Sequence, residues 1–301
     1  MNKKRKIFIG SRQSNLAKIQ TNLVLKQLKK IGLSNVFIKY VTSRGDKVSY
    51  KVFKLEGGKG LFTKDIDDLL INKKVDLAIH SAKDIPANID KRITIAAFLK
   101  REDVRDVLVT KDANNKLQLK GNMKFGSSSP RRINYLKNLF PNLKVKNLRG
   151  NIESRIKKIE EKKLDGTLLA YAGIKRLKLK YETVNFFKIS TKIILPAPGQ
   201  GAIAILCRKG DRKMINICKK IDDFDTRISM IAERAFIKEI NGDCFTPVAA
   251  LAKISGKKLT IKGRLFSKDG KRFSEKKEVG SIDNAKKIGK LCAVKVLKNL
   301  G

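Results

Sequence analysis

Short apolar runs alternate with stretches of helical periodicity through the first two hundred residues, the pattern of α/β units built on largely parallel sheets. "KIFIG" (6–10) predicts a strand, and Leu16, Ile19, Leu23 and Ile31 predict a helix over 16–31 behind Ser14 as N-cap. "VFIKYV" (36–41) is the next strand; residues 43–60, "SRGDKVSYKVFKLEGGKG", have four glycines and no clean period and read as a long loop. Thr63 then caps a helix whose first turn carries Asp65 and Asp67, where carboxylates suit the helix dipole, with Ile66, Leu69 and Leu70 inward. "VDLAI" (75–79) follows as a buried strand.

The same alternation recurs over 105–195, through "DVLVT", "KFGSSS", a helix, "KVKNL", a second helix and "DGTLLA". "AIAILC" (202–207) is apolar throughout and reads as a strand returning to an earlier sheet. From about 224 the style changes. "TRISMIAERAFIKEI" predicts a helix with Ile228, Ile231, Ala235, Phe236 and Ile240 on its buried face and Asn241-Gly242 as its stop. Alternating "KLTIKGRLF" and a last helix complete a small α+β domain. The expected domains are 1–100 with 200–219, then 101–199, then 224–301.

Composition narrows the class. A hydrophobic fraction of 42% in 301 residues supports real cores, and no apolar run is long enough to span a bilayer. The apolar part of "MNKKRKIFIG" is too short for a signal-peptide core, so a cytoplasmic location is expected. Four spread cysteines with a single histidine argue against a zinc site; Cys207, Cys218 and Cys292 sit in apolar patterns, whereas Cys244 in "NGDCFTPV" stands in a loop. Net charge is +41, which attracts polyanions. Lys outnumbers Arg about threefold and is scattered, aromatics are 6% and Trp is absent, so the charge reads as solvated surface and no specific nucleic acid is expected.

The arginines stand in more telling places. In "GSSSPRR" (126–132) Ser129 caps a helix that opens on Pro130. The amides around Ser127 to Ser129, with Arg131 and Arg132, make an anion site. "NLRGNIESR" puts Arg149 before, and Arg155 within, a helix capped by Asn151, and "GSRQSNLA" puts Arg12 before Ser14. Three strand-to-helix junctions with arginine imply a ligand carrying several negative groups, since ligands of doubly wound sheets bind at these strand ends. "AIHSAKDIPA" (78–87) ends another strand with Lys83 and Asp84. The plain reading is a turn in which the two pair; the functional one is an acid that steadies a developing cation or passes a proton. His80 is read as satisfying a local hydrogen bond, and Cys244 as either an inert thiol or an attachment point.

Taken in order, "SRQSNLA", "GGKGLFTKDID", "AIHSAKDIPA", "REDVRDVLV", "GSSSPRR", "NLRGNIESR", "LLAYAGIKRL", "LPAPGQGAIAI", "AERAF" and "GDCFTPV" resemble the porphobilinogen deaminase (hydroxymethylbilane synthase) family nearly end to end. The resemblance implies two periplasmic-binding-protein-like doubly wound domains around a cleft plus the small C-terminal domain, in a monomer. It implies a dipyrromethane cofactor joined by a thioether to Cys244, and Asp84 as the catalytic acid. Lys83, Ser127, Ser129, Arg131, Arg132, Arg149 and Arg155 would hold the cofactor's acetate and propionate groups. Arg12, Ser14, Phe62, Arg149 and Arg155 would hold the substrate, porphobilinogen, and loop 43–60 would be a lid with Lys59 reaching inward. In the implied reaction each porphobilinogen loses ammonia to give a cationic azafulvene, which the free α-carbon of the bound chain attacks. Four additions and a hydrolysis release linear hydroxymethylbilane. Two departures stand out: Leu55 and Glu56 lie where a lysine is usual, and Asp243 replaces a commoner glycine beside the cysteine, which is expected to raise its thiol pKa.

Overall fold

A computed structural model describes residues 6–43, 60–112, 123–243, 245–267 and 269–300. The chain divides into two compact units, 1–102 with 201–228, and 103–200 with 229–301.

The first unit is built on a five-stranded sheet ordered β2-β1-β3-β10-β4. Its strands are β1 (Ile7–Arg12), β2 (Val36–Val41), β3 (Leu77–Ser81), β4 (Ile93–Leu99) and β10 (Ile203–Arg208). Helix α1 (Asn15–Lys30) connects β1 to its parallel neighbour β2, and α2 (Lys64–Ile71) precedes β3, which lies parallel on the other side of β1. Ser14 caps α1 as expected, its hydroxyl accepting the Ala17 N–H at 3.4 Å, and Lys29 and Lys30 close it where cations suit the dipole. The buried stripe Ala17, Gln20, Thr21, Val24, Leu28 follows the 3–4 spacing of a helix laid on a sheet. "AIAILC" does return: β10 is fully apolar down to Cys207 and enters antiparallel between β3 and β4.

The second unit repeats this order as β7-β6-β8-β5-β9, from β5 (Asp106–Thr110), β6 (Lys124–Gly126), β7 (Lys144–Lys146), β8 (Gly166–Ala170) and β9 (Asn185–Lys188). The strands β6, β7 and β8 are parallel and carry α3 (Pro130–Leu139) and α4 (Ile152–Glu160) at their crossovers, with α5 (Tyr171–Leu177) after β8. β5 runs antiparallel to both β8 and β9. The expected fold class stands, but each sheet is mixed where largely parallel sheets were expected. The inserted strands β10 and β5 each come from a distant stretch of chain, without the helical crossover that a parallel neighbour requires.

A three-stranded antiparallel meander, β11 (Val248–Ser255), β12 (Lys258–Phe266) and β13 (Phe273–Ser281), completes this unit with α8 (Ala285–Lys298) and, from Ser229 on, α7 (Phe224–Glu239); α6 (Arg212–Lys219) belongs to the first. Ala249, Leu251 and Phe266 of the meander share one apolar cluster with Leu108, Phe125, Tyr135, Leu136 and Leu168 of the second sheet. That shared core joins the meander to the second sheet within this unit.

Two local expectations are corrected. The buried face of α7 runs through Thr226, Ser229, Met230, Ala232, Glu233 and Phe236, while Ile231 is exposed. Buried polar groups shift the face: Glu233 accepts the Gly199 and Ala252 N–H groups at 2.7 and 2.8 Å, and the Thr226 hydroxyl donates to Asp223. Thr63 makes no side-chain cap to α2; its hydroxyl turns back toward the Gly60 carbonyl.

Candidate functional site

In the first unit the chemistry collects where β1 and β3 end. β3 runs to Ser81, two residues past the predicted end, and a short 3-10 turn, Ala82–Asp84, places Lys83 and Asp84 beyond it. Arg12, the last residue of β1, puts Nη1 4.0 Å from Asp84 Oδ2, and its guanidinium lies 4.7 Å from the centre of the Phe62 ring. Both Arg12 and Asp84 remain partly open to solvent. Ser14 spends its hydroxyl on the cap of α1, beside Arg12. His80 is buried and bonded to Asp67 of α2 at 2.9 Å, the local role read for it. Thus Asp84 faces Arg12, which comes from a different strand.

In the second unit the ends of β6 and β7 gather the arginines. Ser129 caps α3 with Pro130 at the first helical position, and Asn151 caps α4 by accepting the Ser154 N–H at 2.8 Å. Ser127 is buried and its hydroxyl accepts the Ser129 N–H at 3.2 Å. Arg131 and Arg132 turn their forks inward, onto Asp106 at the start of β5. Arg131 reaches its two oxygens at 2.6 and 3.2 Å and the Leu195 carbonyl at 2.8 Å, and Arg132 reaches Oδ1 at 2.7 and 3.1 Å. The three residues are 3%, 6% and 0% exposed in that order. Burial alone would raise the Asp106 pKa, but the two guanidiniums and their hydrogen bonds outweigh it and hold the carboxyl well below its usual range. Burial also lowers the pKa of Arg132.

Arg155 bonds the Gly150 carbonyl through Nε at 2.8 Å, and its pKa is lowered to about 10 by burial and then by repulsion from Arg132 and Arg149. The Arg131 Nε is buried without a hydrogen-bond partner. Two guanidiniums on Asp106, with Arg149 and Arg132 close enough to repel Arg155, form an environment that carboxylate ligands would relieve, so the donor set fits a cofactor bearing several acid groups. Asp106 and Gln200, whose amide donates to the Val104 carbonyl and to Asp106 at 2.7 and 3.2 Å, were not singled out from sequence. The available signal was a carboxylate opening the apolar run Val107–Val109, which must find a partner when buried.

Cys244, Lys59 and residues 44–59 of the loop read as a lid lie outside the described residues. Next to the cysteine position, Asp243 Oδ1 accepts from the Phe245 N–H, the Thr246 N–H and the Thr246 hydroxyl, each at 2.9 Å. This carboxylate shapes its own loop. Cys207, Cys218 and Cys292 are buried core thiols as read. Among the described residues no helix is long and apolar enough to cross a membrane.

Two family models match the chain: "Porphobilinogen deaminase, dipyromethane cofactor binding domain" over residues 7–216 and "Porphobilinogen deaminase, C-terminal domain" over 228–298. The chain belongs to the porphobilinogen deaminase family. The porphobilinogen deaminase of Rickettsia prowazekii is 40% identical, with 97% of each chain aligned. That of Clostridium novyi is 38% identical over 98% of this chain and 99% of its own. A probable porphobilinogen deaminase of Nitrosopumilus maritimus is 40% identical over 94% of this chain and 90% of its own. Of solved structures, the periplasmic VFT2 domain of Bordetella pertussis BvgS aligns over 72% of this chain and 85% of that one, with 13% identity and a TM-score of 0.44. Porphobilinogen deaminases are transferase-type enzymes of tetrapyrrole synthesis, acting as hydroxymethylbilane synthases.

Proposed function

We propose that the chain condenses four porphobilinogen molecules, one at a time, onto a dipyrromethane held by a thioether to Cys244, releasing ammonia at each step and linear hydroxymethylbilane by a final hydrolysis. The observation that carries this reading is the gathering of arginines at the ends of β6 and β7, where Arg131 and Arg132 converge on Asp106 and where repulsion from Arg132 and Arg149 adds to burial in lowering the pKa of Arg155. Such a site suits a ligand that gains two carboxylates with every pyrrole added. When bound, the dipyrromethane supplies a free α-carbon as nucleophile.

Each group of this chain then has a task that its chemistry supports. Arg132, Arg149 and Arg155, with Lys83, Ser127 and Ser129, hold the cofactor's carboxylates; Arg131 fixes the cluster through Asp106 and Leu195. Arg12, Ser14 and Phe62, together with Arg149 and Arg155, receive the incoming substrate. Asp84 is the catalytic acid. Its carboxyl donates a proton as the amine departs, and its carboxylate steadies the positive charge left on the pyrrole. Lys59 reaches the substrate from the lid loop. Residues 1–100 with 200–219, 101–199 and 224–301 act as three domains. The protein works as a cytoplasmic monomer without specific nucleic acid, a setting that suits its unpaired core thiols.

The test is turnover of porphobilinogen, followed as ammonia released and bilane formed. Wild type should yield one bilane per four ammonia. Asp84→Asn should lose turnover while still carrying its pyrrole chain. A protein that binds porphobilinogen but releases no ammonia would be a non-catalytic anion binder, and the proposal would fall.

A further inference from the structure

We infer that Gln20 is a positioning residue for Asp84, acting through Ser81; this rests on the reading of Asp84 as the catalytic acid. Gln20 lies on the second turn of α1 and is 4% exposed. An amide is a costly group to bury, and an apolar side chain would pack this helix on its sheet equally well. Both of its polar atoms are used on one hydroxyl: Nε2 donates to Ser81 Oγ at 2.8 Å, and Ser81 Oγ donates back to Oε1 at 3.2 Å. Ser81 is the last residue of β3, directly before the Ala82–Asp84 turn.

The neighbouring helix position does the same for the other strand. The Thr21 hydroxyl donates to Ser11 Oγ at 2.6 Å, and Ser11 Oγ donates to the Arg12 carbonyl at 3.2 Å. Two adjacent buried polar residues of α1 thereby fix the ends of β1 and β3, which carry Arg12 and Asp84. The 4.0 Å separation of those two side chains depends on both strand ends holding their places. Two further bonds tie the same turn to other elements. His80 is held to α2 by Asp67 at 2.9 Å, and the Ala82 N–H donates to the Ala202 carbonyl, just before β10, at 3.0 Å. Of these ties the Gln20–Ser81 pair is the one closest along the chain to Asp84 that uses side chains from both partners. A carboxyl that must meet a departing amine benefits from this support, because small displacements of a reacting group are expensive in rate.

The experiment compares Gln20→Ala, Ser81→Ala, the double variant and Val24→Ala in cofactor-loaded enzyme, measuring kcat, KM for porphobilinogen and melting temperature. Val24 is buried on the same helix in the apolar cluster and has no polar side-chain atom to join these hydrogen bonds, so its truncation reports the loss of packing on this face. Gln20→Ala is expected to lower kcat about tenfold with KM within about twofold, the signature of a group that aligns chemistry rather than binds substrate. Ser81→Ala should do the same, and the double variant should be no slower than either single, since all three break one link. Val24→Ala should melt lower with kcat unchanged. Ser81→Ala removes only a half-buried hydroxyl and tests the link even if Gln20→Ala does not fold. Wild-type kcat in Ser81→Ala, or losses that multiply in the double variant, would overturn the inference while leaving Asp84 in place. Turnover retained by Asp84→Asn would overturn the assignment of Asp84, and this inference with it.

Discussion

Replacing Asp106 by Asn tests the electrostatics of the arginine cluster most sharply. In the wild type one fully buried carboxylate serves two buried guanidiniums through short bonds, the closest at 2.6 Å to Arg131 and 2.7 Å to Arg132. The substitution keeps the shape of the side chain and removes its charge. Breaking a buried pair from one side costs about 3–5 kcal/mol, because the remaining charges stay buried without compensation. At about 2–4 °C per kcal/mol for a unit of this size, the melting temperature at pH 7 should fall by about 6–20 °C. The pH dependence adds a second check. The folded pKa of Asp106 is depressed below the ordinary 3.8, so the stability it contributes is fully present above that value. It is lost as pH falls through the folded pKa. Wild type and Asp106→Asn should therefore differ by a constant amount from pH 7 down to about pH 4 and converge below it. Thermal unfolding by calorimetry across this range is the assay. A variant that melts within about 1 kcal/mol of wild type at pH 7 would refute the reasoning, since that is the scale of an exposed pair rather than a buried one. So would a gap that widens below pH 4.

Other outcomes follow from the same structure. The charge of Arg155 is disfavoured by folding, so its stability contribution is negative at every pH below about 10; Arg155→Met should melt no lower than wild type in cofactor-free protein yet take up dipyrromethane more weakly, as read by intact mass after reconstitution. Burial pushes the thiols of Cys207 up to about 11 and of Cys218 and Cys292 to about 12. Iodoacetamide at pH 8 should leave all three unmodified in the native protein and label them on denaturation, because only the thiolate reacts. A Cβ on Gly289 of α8 would lie 2.1 Å from the Ala232 carbonyl oxygen of α7, so Gly289→Ala should cost about 1–3 kcal/mol in denaturant unfolding, as overpacking does.

Local signals in the chain carried much of this structure. Ser14, Ser129 and Asn151 were legible as helix caps because a cap depends on its next three residues only. The unbroken apolar run of 202–207 foretold a strand buried on both faces, and the ordered motifs foretold the fold class and the family. What stayed hidden depends on partners far away in sequence. No residue near β10 or β5 states that it will enter its sheet antiparallel, and the shared order of the two sheets has no matching repeat in sequence. The face of α7 was misplaced because Thr226 and Glu233 look solvent-facing until Asp223, Gly199 and Ala252 supply their partners. Arg131 and Arg132 were read as donors turned toward a ligand, although both bond first to Asp106, which reads in sequence as the opening residue of a strand. Gln20 gave no signal, since a glutamine on an amphipathic helix is ordinary until Ser81 is placed beside it.

The proposed function requires this chain to carry its own pyrrole primer on Cys244. Intact-mass spectrometry of the purified protein, with peptide mapping of the modified residue, tests it directly. The account predicts an adduct equal to two linked pyrrole units, located on Cys244 and absent from Cys244→Ser. A folded protein of unmodified mass that takes up no pyrrole when supplied with porphobilinogen would contradict it.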